Sequence, residues 1–431
     1  MIKNKFIKST LILILGGLIS KIMAMVIRIY LTRNIGPTGL GLYMLVLPTF
    51  GLFITIANLG LPLAVSKLVS EKKNNNKKLV LSIIPLIILF NITLMLILII
   101  SSKYLATNLL KNNLLTYPIM AIGITLPFIT ISDILRGYFF GKERMWPYTI
   151  SNNLEQLVRL LLVILLLPKL LKYSLTTALV GVVLFNVISE GISILILMLY
   201  APKDIIIKKE DFKPNKYLTK EALNIAIPTT ASRLIGTISA FLEPIILMFI
   251  LNKVNYTPEY ITLEYGIING YVLPILLLPS FFSYAISNAL LPIISNSYTN
   301  NNKKRAKKKT IEAIIISLII GIPVTLIFIA IPQIPLNILY KTSKGTEYIK
   351  FLAPIFLLHY IQSPLTTTLQ GMGKAKCAMY GTILGTTLKI ITLASLSLLK
   401  IGLWSLVISI SINIITVTIH HIYYTHKYLK N

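Results

Sequence analysis

Two cations interrupt what is otherwise an apolar, membrane-length helix. Lys21 and Arg28 lie seven residues apart in the stretch Gly16 to Tyr43, and seven residues is nearly two helical turns, so both project from one face. Gly17, Ser20 and Ala24 are read onto that face as well. A narrow stripe of small and cationic residues suits a helix that lines a polar cavity, because a charge turned to lipid at mid-membrane costs about 2.5–3.5 kcal/mol on insertion scales. The chemistry it offers is the capture of an anion, a phosphate above all. Arg233 is the companion: it sits on a later apolar span, about ten residues or roughly 15 Å into the helix, and Ser232, Gly236, Ser239 and Glu243 continue a small, polar stripe around it. Lys21, Arg28 and Arg233 are therefore the candidate substrate-binding residues. The plainer account of Arg28 is a side chain snorkelling to the outer interface.

Other ionisable residues also fall within spans. Asp133 and Arg136 are three apart, Glu155 and Arg159 four apart, spacings that allow pairing within one helix. They serve either structural neutralisation or gating and substrate contacts. Glu190 and Glu243 have no local partner in the sequence, so each could take up a coupling proton or cation, or pair with a cation on a neighbouring helix; Lys389 is a further basic residue within a span. Asn58 and Gln370 could hydrogen-bond sugar hydroxyls or bridge helices, and His359 is read as a packed interior histidine. Catalysis needs positioned acids, bases or metal ligands. The outer loops offer chiefly Glu259, Glu264 and Glu347 and no histidine, and the inner loops lack a coherent His, Asp and Glu cluster. The chain is accordingly expected not to be an enzyme, to have no catalytic or metal-ligating residues, and to need no cofactor.

The elements that must position these residues follow from composition. The 431 residues are 55% hydrophobic and 13% charged, with mean hydropathy +0.78, outside the range of soluble globular chains. This is an all-α polytopic membrane protein. The net charge of +28 would suggest nucleic acid in a soluble protein, but here basic residues mark cytoplasmic loops, so no nucleic-acid partner is expected. The lone Cys377 excludes an internal disulfide framework. Hydropathy divides the chain into twelve spans, near 6–31, 40–66, 79–101, 114–140, 147–168, 174–200, 217–251, 264–294, 310–332, 348–371, 376–399 and 402–425, each about the length that crosses a bilayer. The first begins like a secretory signal, yet its apolar run continues through Leu31 with Lys21 where a cleavage region would fall, and it is read as a retained span.

Lysine and arginine concentrate in alternate loops, including Lys67 to Lys78, Lys203 to Lys220 and KKRAKKK at 303 to 309, which places both termini in the cytoplasm of a cell-membrane protein. The last run is read as an anchor near anionic lipid. Three stretches recur in order. ISKIMA at 19 to 24 is echoed by ASRLIG at 231 to 236, GLPLAVSKLVSEKKNNNKK at 60 to 78 by ALLPIISNSYTNNNKKRAKK at 289 to 308, and FGKERMWPYTI at 140 to 150 by MGKAKCAMYGT at 372 to 382. The expected architecture is thus two pseudo-symmetric six-helix bundles, 1–201 and 221–431, joined by a cytoplasmic linker at 202–220, with a central cavity between parallel repeats. Prolines within spans, among them Pro48, Pro127, Pro244, Pro274, Pro279 and Pro364, free backbone carbonyls and permit bending.

ILRGYFFGKERMWPYTISNNLEQLVRL at 134 to 160, ASRLIGTISAFLEPIIL at 231 to 247, LGGLISKIMAMVIRIYLTRNIGPTGLGLY at the start and LGLPLAVSKLVSE at 59 to 71 resemble the stage V sporulation protein B branch of the multidrug/oligosaccharidyl-lipid/polysaccharide exporter superfamily, which is related to the lipid II flippases. The resemblance implies a flippase that moves an undecaprenyl-pyrophosphate-linked saccharide from the inner to the outer leaflet for peptidoglycan synthesis, by alternating access and without covalent chemistry. It also implies membrane lipids as surroundings, a monomeric carrier, and cell-wall synthesis proteins as partners. The family commonly has fourteen helices; twelve spans are read here. The alternatives are an ion-coupled multidrug exporter of the same fold, whose often cationic substrates Lys21, Arg28 and Arg233 would repel, a membrane enzyme acting on lipid pyrophosphates, and a scaffolding membrane protein.

Overall fold

A computed structural model describes residues 2–71, 76–201 and 215–430; the expected linker lies outside the described residues as far as 214. The described chain is helical almost throughout and contains no strand. The first helix, α1 (Ile2–Asn58), covers the first expected span and most of the second, and its break falls at Gly36, with φ 69° and ψ 175°. Only glycine takes that φ without a Cβ penalty, and the following Pro37 forces its predecessor out of the helical region. The GP pair therefore divides one apolar rod into two. A second break, Leu59 and Gly60 in left-handed conformation, separates α1 from α2 (Leu61–Ser70).

Next come α3 (Asn76–Tyr104), α4 (Thr116–Gly141), α5 (Met145–Tyr173), α6 (Leu175–Leu199) and α7 (Lys216–Lys253). One extended residue, Ser174, joins α5 to α6, and its hydroxyl caps α6 by accepting from the Thr177 amide, the arrangement that serine favours at a helix start. The expected span 264–294 is not a single rod. It consists of α8 (Pro258–Gly266), a π-helical turn, α9 (Leu273–Leu276) and α10 (Ser280–Thr299), bent by 52° where Pro274 and Pro279 withhold backbone donors. The chain then runs through α11 (Lys303–Ala330), a short α12 (Gln333–Tyr340), α13 (Thr346–Gly371), α14 (Ala375–Ser397) and α15 (Trp404–Leu429).

Among the described residues eight helices are long and apolar enough to cross a membrane, or nine if the bent pair is one span. Dividing the first at Gly36 makes ten at most, and α5 and α13 lie at the positions of the two remaining expected spans. Large apolar side chains such as Leu89, Ile100, Leu165, Ile319 and Leu326 point outward, as lipid contact requires.

The chain forms two compact units, 1–241 and 242–431. The division falls inside α7, later than the linker expected at 202–220. The physical reason lies in the start of α7: its Leu218, Ala222 and Ala226 are buried in one core with Leu61, Val65 and Leu68 of α2 and Leu79 and Ile83 of α3. In the second unit α10, α11 and α13 pack together with α15, burying Leu290, Ile294, Ala313, Leu369 and Leu429.

Candidate functional site

In the first unit the ionisable residues of α4, α5 and α6 form one network rather than separate intrahelical pairs. Arg136 on α4 is its centre. Its Nη1 lies 3.2 Å from Asp133 Oδ1, and its Nη2 lies 2.6 Å from Glu155 Oε2 on α5 and 3.3 Å from Glu190 Oε2 on α6. The same nitrogen donates to Ser193 Oγ at 2.8 Å, and Ser193 in turn meets Ser132 Oγ at 3.0 Å. Glu155 also accepts from Arg159, one helical turn further on.

Both expected intrahelical pairs are present. Of the alternatives open for Glu190, the structure shows pairing with a cation on a neighbouring helix, Arg136, beyond the reach of local spacing. Asn58, at the end of α1, donates to Asp133 Oδ2 at 2.9 Å and so bridges α1 to α4. Local packing sets Arg136 in place: a Cβ on the adjacent Gly137 would lie 2.4 Å from the Pro62 carbonyl oxygen, so the backbone of α2 rests directly on α4. With Asp133, Glu155 and Glu190 against Arg136 and Arg159, the network holds one carboxylate more than its guanidinium groups can match.

In the second unit Glu243 of α7 forms an ion pair with Lys389 of α14. Glu243 is buried, so the polar stripe of α7 does not continue openly to it. Lys389 stands in the sequence as a basic residue in a span without an assigned partner, and its 146-residue separation from Glu243 hides the pair from any periodicity. A cavity of about 200 Å³ adjoins the pair, with Asn269, His359, Gln362 and Asn413 in its wall. His359 is an interior residue with its ring against Phe356. It lines this cavity and its Nδ1 lies 3.1 Å from Gln362 Oε1.

Arg233 makes no ion pair with either network among the described residues. Lys21 and Arg233 are exposed, and Arg28 is half-buried, with its Nη2 donating to Met44 Sδ at 3.7 Å. A Cβ built on Gly17 or on Gly236 meets nothing within 4 Å, so the helix surface about one turn from Lys21 and from Arg233 is open. Ser20 leaves the expected stripe. It is buried, donates to Asn153 Oδ1 and accepts from Asn152 Nδ2 at 2.9 Å, so it fastens α1 to α5. The side chain of Ser232, expected beside Arg233, lies outside the described residues. The contact division groups Arg233 with the first unit, whereas the sequence repeat assigns it to the second lobe.

Over residues 6–298 the chain matches the family model described as polysaccharide biosynthesis protein, and over 269–395 the model described as MatE. It is 34% identical to stage V sporulation protein B of Bacillus subtilis (strain 168), across 98% of this chain and 83% of that protein. It is 24% identical to the lipid II flippase MurJ of the same organism, across 90% and 76%. Among solved structures, a multidrug resistance MATE family transporter of the MOP superfamily, in an inward-facing conformation, superposes with TM-score 0.77 at 15% identity, covering 95% of this chain and 94% of that one. A MOP superfamily transporter from Pyrococcus furiosus superposes with TM-score 0.63 at 15% identity, covering 99% and 96%. At such identities the structural likeness shows the fold.

Proposed function

The chain belongs to the polysaccharide biosynthesis protein family, and on that premise we propose that it is a membrane flippase for a lipid-linked saccharide. The substrate class that fits is an undecaprenyl-pyrophosphate-linked peptidoglycan precursor, carried from the inner to the outer leaflet by alternating access. The observation that carries this reading is the exposed Arg233, which makes no ion pair among the described residues although it lies within the long helix α7. Elsewhere in the spans Arg136, Arg159 and Lys389 are each neutralised by carboxylates. An intramembrane cation held for a substrate anion is the functional counterpart of those structural pairs. Lys21 and Arg28 are assigned to the same pyrophosphate, Lys21 at a similar depth and Arg28 nearer the outer mouth.

The names of the relatives, one a sporulation protein and one a lipid II flippase, support a role in cell-wall or spore-envelope synthesis. No step in this reading makes or breaks a covalent bond, so the chain acts as a carrier rather than an enzyme, with both termini cytoplasmic. The surplus carboxylate around Arg136 is assigned to coupling or gating. The match to the MatE model and the likeness to a multidrug transporter favour drug export as the second reading.

The test is depletion in cells. Accumulation of lipid-linked precursor on the cytoplasmic face supports the flippase. An unchanged precursor pool, with raised sensitivity to cationic drugs, supports the exporter instead.

A further inference from the structure

The second unit holds a further cavity of about 310 Å³ between α10 and α13, which shares His359 and Gln362 with the cavity beside Glu243 and Lys389. Ser280, Ser283 and Ser287 form its wall on α10, and Ser363, Thr367 and Gln370 on α13. Both sets recur at three or four residues, which brings each onto one face of its helix. Every side chain in the wall carries a hydroxyl, an amide or an imidazole, and none a carboxylate, ammonium or guanidinium group. Facing lipid, such a surface would leave polar groups without partners. Ser280 Oγ is already buried without a hydrogen-bond partner among the described residues, where a buried hydroxyl ordinarily has one.

We propose that this cavity seats an uncharged, polyhydroxylated group, a sugar unit of the lipid-linked substrate. The inference rests on the flippase reading and adds to it the place of the sugar. Serine, threonine and glutamine side chains each donate and accept, as sugar hydroxyls do, so the two sets can satisfy each other without charge. A phosphate would call for lysine or arginine, and neither lines the wall. A polyprenyl chain would need an apolar surface. The volume lies at the lower end of ligand pockets, which run to about 300–1,000 Å³.

The experiment uses the full chain in lipid nanodiscs and measures binding of two soluble probes, an uncharged N-acetylhexosamine disaccharide and inorganic pyrophosphate. The variants are the double substitution Ser363→Ala with Thr367→Val, and the conservative Thr367→Ser. The double variant should bind the disaccharide at least tenfold more weakly, about what the loss of two neutral hydrogen bonds gives. Pyrophosphate binding and the melting temperature should stay unchanged, and Thr367→Ser should bind like the native chain. Disaccharide binding that the double variant leaves intact would overturn the subsite and leave the flippase reading standing. A native chain that binds neither probe would overturn both.

Discussion

Arg136 joins three helices through one side chain. Its guanidinium touches Asp133, Glu155 and Glu190, and removing it leaves those carboxylates without their shared counter-ion. Breaking a buried pair from one side costs about 3–5 kcal/mol. Arg136→Ala should therefore lower stability by about that amount, read from unfolding midpoints of the detergent-solubilised protein, and an unchanged midpoint would show that the network is not structural. The pair Glu243 and Lys389 allows a cleaner comparison. Glu243→Leu and Lys389→Leu should each destabilise, since each strands a charge, while the double substitution should recover most of the loss because both charges leave together. Additive losses in that cycle would mean the two side chains do not depend on each other. At this scale the sequence was only partly legible. Spacings of three and four residues disclose Asp133 with Arg136 and Glu155 with Arg159, but no local rule reaches from Glu190 to Arg136 or from Glu243 to Lys389.

The helices are defined largely by where they break. At Gly36 the backbone adopts a conformation that an L side chain resists, while a Cβ there would meet no atom within 4 Å. Gly36→Ala should thus cost only conformational strain, about 1–3 kcal/mol, and a stability measurement showing no loss would mean that the break does not need glycine. Gly137 is the opposite case, because its Cβ would strike the Pro62 carbonyl oxygen. Gly137→Ala should push α2 off α4 and disturb Arg136 beside it, seen as faster hydrogen exchange across 61–70; unaltered protection would contradict the packing. Hydropathy marks the long apolar helices because lipid demands apolar length. It could not foresee the bend between α9 and α10, since prolines such as Pro323 lie within a continuous α11 while Pro274 and Pro279 flank a break. What neighbouring helices supply at each proline decides the outcome.

For the whole molecule, family membership and fold were legible in stretches such as 134 to 160, where charged and aromatic residues inside a span are costly and specific. The unit boundary was not, because repeats record ancestry while contacts record packing, and the start of α7 packs on α2 and α3. The polar cavity between α10 and α13 was also unseen, as serine and threonine are common in membrane helices and only their convergence from two helices makes a wall. In the proposed function, exposed intramembrane cations carry a lipid-linked pyrophosphate across the bilayer. The decisive measurement reconstitutes the chain into vesicles with an undecaprenyl-pyrophosphate-linked saccharide and follows its appearance in the opposite leaflet. Protein-dependent movement is expected, falling at least tenfold when Lys21→Ala and Arg233→Ala are combined, with folding and reconstitution unchanged. Movement that persists at the native rate in that double variant would contradict it.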